Sequence, residues 1–342
     1  MSVLTYRYRI KDATKGKHLQ RLAWACNTVW NFCNEVSMLA LRCDKRLLTA
    51  VDLINLTAGA STALGLHSDT ISEICREYVA KRKASHKRRL KWRSHKRSLG
   101  WVPFKLRFLK LEPDSLTYLK RRYRFWASRP TQGTPKTGSF TQDARGRWYV
   151  NIQCEVDDPG TPLGDAEIGI DLGLTNQLQC SDREEPYARD KLTRIYEDAL
   201  AMAQRAHKQK RVKAIHAKIA NCRKDWAHKV TTAIVNRAQL IVVGNVSSPK
   251  LAKTSMAKSV YDAGWGQLRT CLEYKAKRLG VVYREVSERY SSVTCSVCSA
   301  RTGPSGLSAL GVRVWHCSVC GVVHNRDINA AHNILRAGRG TP

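Results

Sequence analysis

The sequence has no run approaching the roughly 18 consecutive apolar residues that a membrane span needs, and its opening stretch, MSVLTYRYRI, has no signal-peptide core. A membrane partner is therefore not expected, and the setting expected is cytoplasmic. Acidic residues are scarce, with 28 Asp plus Glu against 59 Lys plus Arg, so the formal charge is +31. An excess of that size calls for a polyanion, and nucleic acid fits best. A disulfide pattern is missing too. Eight of the twelve cysteines (Cys26, Cys33, Cys43, Cys75, Cys154, Cys180, Cys222 and Cys271) are scattered singly, a usage that suits a reducing compartment. What is present in quantity is apolar material, 43% over 342 residues. That is enough for two or more cores and argues against a disordered basic tail.

Along the chain, Leu4, Tyr6, Tyr8 and Ile10 alternate with Thr5, Arg7 and Arg9, the period of a half-buried strand. Leu22, Cys26, Val29, Trp30, Cys33 and Val36 then recur at helical spacing and read as helix core. A second helix is expected from the DTISE run at Asp69, read as an N-cap with acidic residues behind it, and it is expected to continue into the most basic stretch. Ten of the seventeen residues from Lys81 to Arg97 are Lys or Arg, with Trp92 among them and no acid. A solvated charged face is one reading. Contact with a nucleic-acid backbone through Lys87, Arg88, Arg89, Trp92 and Arg93 is the favoured one, because phosphates would neutralise charges that otherwise repel.

Strand texture returns in WVPFKLRFLKLEP, in Tyr118 to Trp126 and most clearly in Arg147 to Val156, and these strands could close a barrel with residues 3–10. Pro159-Gly160-Thr161-Pro162 reads as a boundary. Beyond it, residues 190–236 are basic and helical, Leu240 to Val243 is a strand buried on both faces, Tyr261 to Leu279 is a helix and Val281 to Val286 a strand. The order suits a ribonuclease-H-like α/β sheet.

Two acidic positions carry the chemistry. Glu167-Ile168-Gly169-Ile170-Asp171 is an apolar strand ending in a carboxylate, followed by the turn Leu172-Gly173-Leu174-Thr175-Asn176. Asp171 is either a turn residue accepting backbone hydrogen bonds or a metal ligand, since a carboxylate at the end of a buried strand is costly to ionise without a cation beside it. Asp327 stands at the start of a helix directly after a cysteine cluster, and two carboxylates on different elements of one layer are what a two-metal nuclease requires. The cluster, Cys295-x-x-Cys298 and Cys317-x-x-Cys320, has the spacing of a closed four-thiolate zinc site with a structural role. Arg301, Arg313 and Trp315 on its loop are placed to touch nucleic acid.

These motifs in this order make the chain resemble TnpB, the transposon-encoded RNA-guided DNA nuclease related to type V CRISPR effectors and Fanzor proteins. The likeness rests on Trp24 to Asn27 with Trp30-Asn31, Arg97 to Phe104, Gly169 to Asn176, Asn221 to Lys229, Trp265, Tyr274-Lys275-Ala276, Tyr290 to Cys298 and Arg326 to Leu335. It implies an α+β multidomain fold: a wedge β-barrel (1–15 and 101–160) split by a helical recognition insert (16–100), then a RuvC-like nuclease domain (161–293 and 322–342) interrupted by a zinc ribbon (294–321). It also implies a guide RNA, a double-stranded DNA target beside a short adjacent motif, two catalytic Mg²⁺ ions, a prokaryotic setting, and a monomer or weak dimer. One departure stands out. Most family members place a catalytic glutamate where this chain has Gly244, which cannot bind a metal. Some relatives carry it on the next strand instead, and Glu288 matches that position, so the expected metal-binding triad is Asp171, Glu288 and Asp327. Neighbouring parallel strands lie roughly 4.8 Å apart, so a carboxylate leaving the second can reach a metal beside the first. Glu285, on the opposite face, and Glu273 are lesser candidates. A nuclease-silent RNA-guided repressor and a zinc-ribbon nucleic-acid binder without a guide are the alternatives.

Overall fold

The computed structural model describes the chain except residues 1, 12, 108, 158–159, 175, 246–256, 307–308, 310 and 341–342; the side chains of residues 2, 13–15, 257–258 and 261 are also left undescribed. Pro159 of the expected boundary and Thr175 of the Asp171 turn thus lie outside the described residues. The chain forms two compact units, Met1–Asp157 and Asp158–Pro342.

In the first unit, strand β1 (Ser2–Arg9) leads into four helices, α1 (Ala13–Cys43), α2 (Ala50–Leu56), α3 (Ala60–Leu64) and α4 (Ser68–Ala84). Six strands follow: β2 (Trp101–Lys105), β3 (Lys110–Glu112), β4 (Ser115–Tyr118), β5 (Arg121–Arg124), β6 (Thr134–Gln142) and β7 (Trp148–Val156). Rather than one continuous wall, the strands make a four-stranded sheet, β1-β7-β6-β2, and a three-stranded sheet, β3-β4-β5. An isolated bridge, Ile10 to Phe125, links them. Aromatic rings fill the space between: Phe140 lies 5.0 Å from Phe104 and 4.9 Å from Tyr123, centroid to centroid. The α1 stripe is core as its spacing predicts, with Trp30 edge-on to Tyr78 at 5.4 Å and to Trp101 at 6.3 Å.

Two expectations are corrected here. Helix α4 is capped by His67, whose Nδ1 accepts from the Asp69 N–H at 3.1 Å, so Asp69 lies in the first turn and is not the cap. The helix also stops at Ala84 and does not run through the basic stretch. His86 has a left-handed φ of 51°, and residues 87–93 cross α1 as a non-helical strap. Asparagines hold it there. Asn34 donates to Leu90 O (2.9 Å) and accepts from its N–H (3.1 Å), and Asn31 does the same for Arg93 (2.8 and 2.9 Å). A helix would bring these like charges together at three- and four-residue spacing, whereas the strap spreads them and still satisfies its backbone.

In the second unit β8 (Ala166–Asp171) pairs antiparallel with β9 (Gln179–Cys180). Helices α5 (Leu192–Ile195), α6 (Glu197–Arg205) and α7 (Gln209–Arg237) lead to β10 (Ala238–Gly244). Then come α8 (Ala257–Ala263), α9 (Trp265–Leu279) and β11 (Val282–Val286). The helix expected over 261–279 is therefore broken, at Gly264, where φ is +68°. Sheet order is β11-β10-β8-β9, with β8, β10 and β11 parallel. A two-stranded ribbon, β12 (Val314–His316) and β13 (Val323–Asn325), precedes the last helix, α10 (Arg326–Arg339).

Strand parity sorts the two faces of this sheet. Ile168, Ile170, Ile241 and Val243 pack into the core that Ile234 of α7 and Leu268 and Leu272 of α9 complete. The alternate residues face α10: Val242 packs on Ile334 and Leu335, and Glu167 pairs with Arg339. Gly169 makes this approach possible, since a Cβ there would lie 2.1 Å from Ala331 O.

Candidate metal centres

Parity carries three carboxylates to one place. Asp171 ends β8 on the α10 face, following Glu167 and Gly169. Gly244 ends β10 on the same face, after Val242, and pairs in register with Val286 of β11. Glu288 follows Val286 by two residues and returns to that face: a Cβ built on Gly244 would sit 3.4 Å from Glu288 Cβ and 3.5 Å from its Oε2. Glycine at 244 thus leaves the volume that the Glu288 side chain borders. Glu285 lies on the other face, where it accepts from Tyr283 Oη at 2.8 Å and pairs with Arg269 at 3.5 Å.

Asp327 reaches the site from the first turn of α10. Asn325 caps that helix, its Oδ1 accepting from the N–H groups of Asp327 (3.0 Å) and Ile328 (3.4 Å). Asn176 donates to Asp327 Oδ2 at 3.0 Å, and Arg313 Nη1 donates to its Oδ1 at 3.1 Å. Neither contact is read from the sequence: Asn176 looks like a turn residue, and Arg313 like a surface cation of the ribbon. Burial, then the charges of Asp327 and Glu288, push the Asp171 carboxyl up from 3.8 to about 7, although Arg326 and Arg313 oppose the rise. Burial raises the Glu288 carboxyl too, with Arg269 pulling the other way. A buried carboxylate whose ionisation is opposed by two neighbouring negative charges is what a cationic ligand would relieve, so the surroundings of Asp171 fit a divalent metal.

The second candidate centre is the cysteine cluster. Among the described residues, Cys295, Cys298, Cys317 and Cys320 are the set of metal-ligating side chains whose ligand atoms all lie within 4.8 Å of one another. The separations Cys295–Cys320 and Cys298–Cys317 are both 3.6 Å. A tetrahedron with Zn–S bonds of about 2.3 Å has edges of about 3.8 Å, so the thiol sulfurs already stand where zinc would hold them. A hydrogen bond from Thr302, 3.3 Å from Cys317 Sγ, leads the effects that bring that thiol down to about 5, which favours the ligating thiolate. His324 Nε2 lies 3.0 Å from Cys295 Sγ, beneath Trp315.

The centres are joined through α10. Asn329 Nδ2 donates to Thr294 O (2.8 Å) while its Oδ1 accepts from Ser296 N (2.8 Å), and Asn333 donates to Ser291 O and Thr294 O at 2.8 and 2.7 Å. The two asparagines of the RDINAAHNI run thus fasten the segment that enters the first cysteine knuckle to the helix that carries Asp327.

The candidate nucleic-acid residues divide in the first unit. Lys87, Arg88, Arg89 and Trp92 are exposed, the last by 46%, with Arg89 5.8 Å from the Trp92 ring centroid. Arg93 turns inward. Its Nε donates to Asn27 Oδ1 at 2.6 Å, its Nη2 to Leu99 O at 2.9 Å, and its guanidinium lies over Trp30 and Trp101. No helix among the described residues is long and apolar enough to cross a membrane.

Two family models match the chain: one described as a probable transposase over residues 151–255, and one described as a Cas12f1-like TNB domain over residues 265–334. A protein of Streptomyces pristinaespiralis, provisionally named an RNA-guided DNA endonuclease, is 35% identical over 225 residues, which is 61% of this chain and 54% of that protein. InsQ of Escherichia coli K12, named in the same provisional way, is 32% identical over 244 residues, 63% of this chain and 60% of its own. The chain therefore spans between half and two thirds of these relatives. A solved Cas12f1 in complex with its guide RNA and target DNA aligns over 95% of this chain and 83% of its own, with a TM-score of 0.61 at 14% identity, which is a likeness of fold.

Proposed function

We propose that the chain belongs among the TnpB-like proteins and is an RNA-guided DNA endonuclease of a transposon, cutting guide-complementary double-stranded DNA beside a short adjacent motif. The observation that supports this best is the convergence of Asp171 at the end of β8, Glu288 just beyond β11 and Asp327 in the first turn of α10, where burial and the other two charges push the Asp171 carboxyl up to about 7. In this reading the three carboxylates hold two Mg²⁺ ions, which when bound supply an activated water and a stabilised leaving oxygen. Asn176 and Arg313 orient the Asp327 carboxylate from either side. Zinc in the cysteine tetrahedron is structural, fixing the ribbon that presents Arg313. In the first unit, Lys87, Arg88, Arg89 and Trp92 contact nucleic acid, and Arg93 holds their strap in place.

The experiment is purification of the full chain expressed with its native flanking DNA. Bound RNA is sequenced and a guide-matched plasmid is offered with Mg²⁺. One defined RNA species and cleavage that disappears in Asp171→Ala are the expected results. Gly244 favours one other reading, a nuclease-silent RNA-guided binder. That reading predicts the same bound RNA and tight target binding without cleavage.

A further inference from the structure

A groove of about 700 Å³ opens between the segment 47–51, at the start of α2, and the end of α4 with the first residues of the strap. That volume falls within the range of pockets for small organic groups, roughly 300–1,000 Å³. Its walls are apolar: Leu47 and Val51 are exposed by 47% and 65%, and Val79 is buried behind them. Its rim carries Lys83, His86, Lys87 and Arg88, and no carboxylate lines it. Arg82 also lines it and is only 5% exposed. One arm of this guanidinium, Nη2, donates to Leu48 O at 2.5 Å, and the cation lies 5.6 Å from the Tyr78 ring centroid. The other arm, Nη1, has no hydrogen-bond partner. A buried donor left unsatisfied is costly, so this guanidinium stands behind the groove as an uncompensated cation.

We infer that this groove takes the base of an unpaired RNA nucleotide. The occupant needs a flat apolar body for the walls and negative charge beside it for the rim; a nucleobase with its flanking phosphates has both. Duplex DNA would first have to unpair, unstack and extrude a base. Folded RNA already displays bases in its loops and bulges, and these are the positions that proteins read. Four residues beyond Arg88 the exposed Trp92, with Arg89 by its ring, offers a stacking surface for the same strand. The inference rests on the guide-RNA reading only in supposing that RNA is the natural occupant.

The test uses the full chain and four fluorescent 12-mers read by anisotropy at fixed salt: single-stranded RNA, the same RNA annealed to its complement, single-stranded DNA and duplex DNA. Val51→Trp fills the groove from an exposed position and should leave the melting temperature unchanged. It should weaken single-stranded RNA about tenfold, the order of what one seated base contributes, and leave both duplexes unchanged. Photocrosslinking of 4-thiouridine RNA to the unaltered protein should label residues 47–51 or 79–88, a readout independent of any variant. Equal loss for duplex and single strands, no loss, or crosslinks confined elsewhere would overturn the inference. So would single-stranded DNA bound and weakened to the same degree, or a change only in self-association or in binding of an acidic peptide. A chain that purifies without RNA, yet loses single-stranded RNA binding through Val51→Trp, keeps the groove and removes the guide.

Discussion

Asp171 is the residue on which pH acts. Its carboxyl titrates near 3.8 when unperturbed and near 7 in the fold, so between those values the folded chain keeps a proton that the unfolded chain has released. The stability this contributes is fully present below about pH 4 and is lost as pH rises through 7. Asp171→Asn cannot ionise and escapes the loss. Metal-free Asp171→Asn is expected to melt on the order of 5 °C above the unaltered protein at pH 8 and level with it at pH 4; thermal unfolding in EDTA across that range checks both. A uniform shift at all pH values would remove the ionisation argument. At this scale much of the site is legible in sequence. Alternation along Ile168-Gly169-Ile170-Asp171 and Val242-Val243-Gly244 places their ends on one face, and counting on from Val286 brings Glu288 there as well. Asn176 and the Arg313–Asp327 pair are not legible, because residues more than a hundred positions apart, or on opposite sides of the second knuckle, meet only once the ribbon is folded.

Among the elements, the strap and the ribbon behave differently from what their composition suggests. A run of ten cations reads as one surface, but the asparagines of α1 turn Arg93 inward and leave its neighbours outside. Replacing Lys87, Arg88 and Arg89 by Gln should leave the melting temperature almost unchanged and flatten the salt dependence of nucleic-acid affinity, by about 0.7–0.9 in log–log slope for each phosphate no longer neutralised. Arg93→Leu should instead lower the melting temperature, because Asn27 and Leu99 O lose their donor. Equal effects of the two changes on slope would return Arg93 to the interface. Strand β6 had no signature to find: it is polar and carries Gly138, where Phe104 leaves no room for a side chain, and Phe140 is its buried residue. The ribbon was legible from four cysteines, but its bond to α10 through Asn329 and Asn333 was not. Cys298→Ser should release zinc, measured as metal content, and lower the melting temperature. By loosening the hydrogen bonds of Asn329 it should also reduce cleavage, and full cleavage by a zinc-free ribbon would contradict the coupling.

For the molecule as a whole, the charge of +31 and the division into two units assign separate work to each. The first unit bears the cationic strap and the groove; the second holds the carboxylates and the cysteine tetrahedron. Composition announced the polyanion, motif order announced a largely parallel sheet, and Pro159 to Pro162 marked a boundary beside the break between the units, while the two-sheet form of the first came from packing that no local pattern encodes. In the proposed nuclease Glu288 supplies the carboxylate missing at Gly244, and the decisive measurement is Mg²⁺-dependent cleavage of a guide-matched plasmid by purified ribonucleoprotein carrying Glu288→Gln, alone and with Gly244→Glu. Guide and target binding should survive in both, because Gln keeps the size and hydrogen-bonding reach of Glu. Cleavage should fall with Glu288→Gln as far as with Asp171→Ala, and the double variant should regain part of it. A Cβ at 244 asks only the end of Ile334, 2.9 Å away, to move, and brings a carboxylate to the same face. Robust cutting by Glu288→Gln alone would show that Glu288 does not replace the carboxylate missing at Gly244.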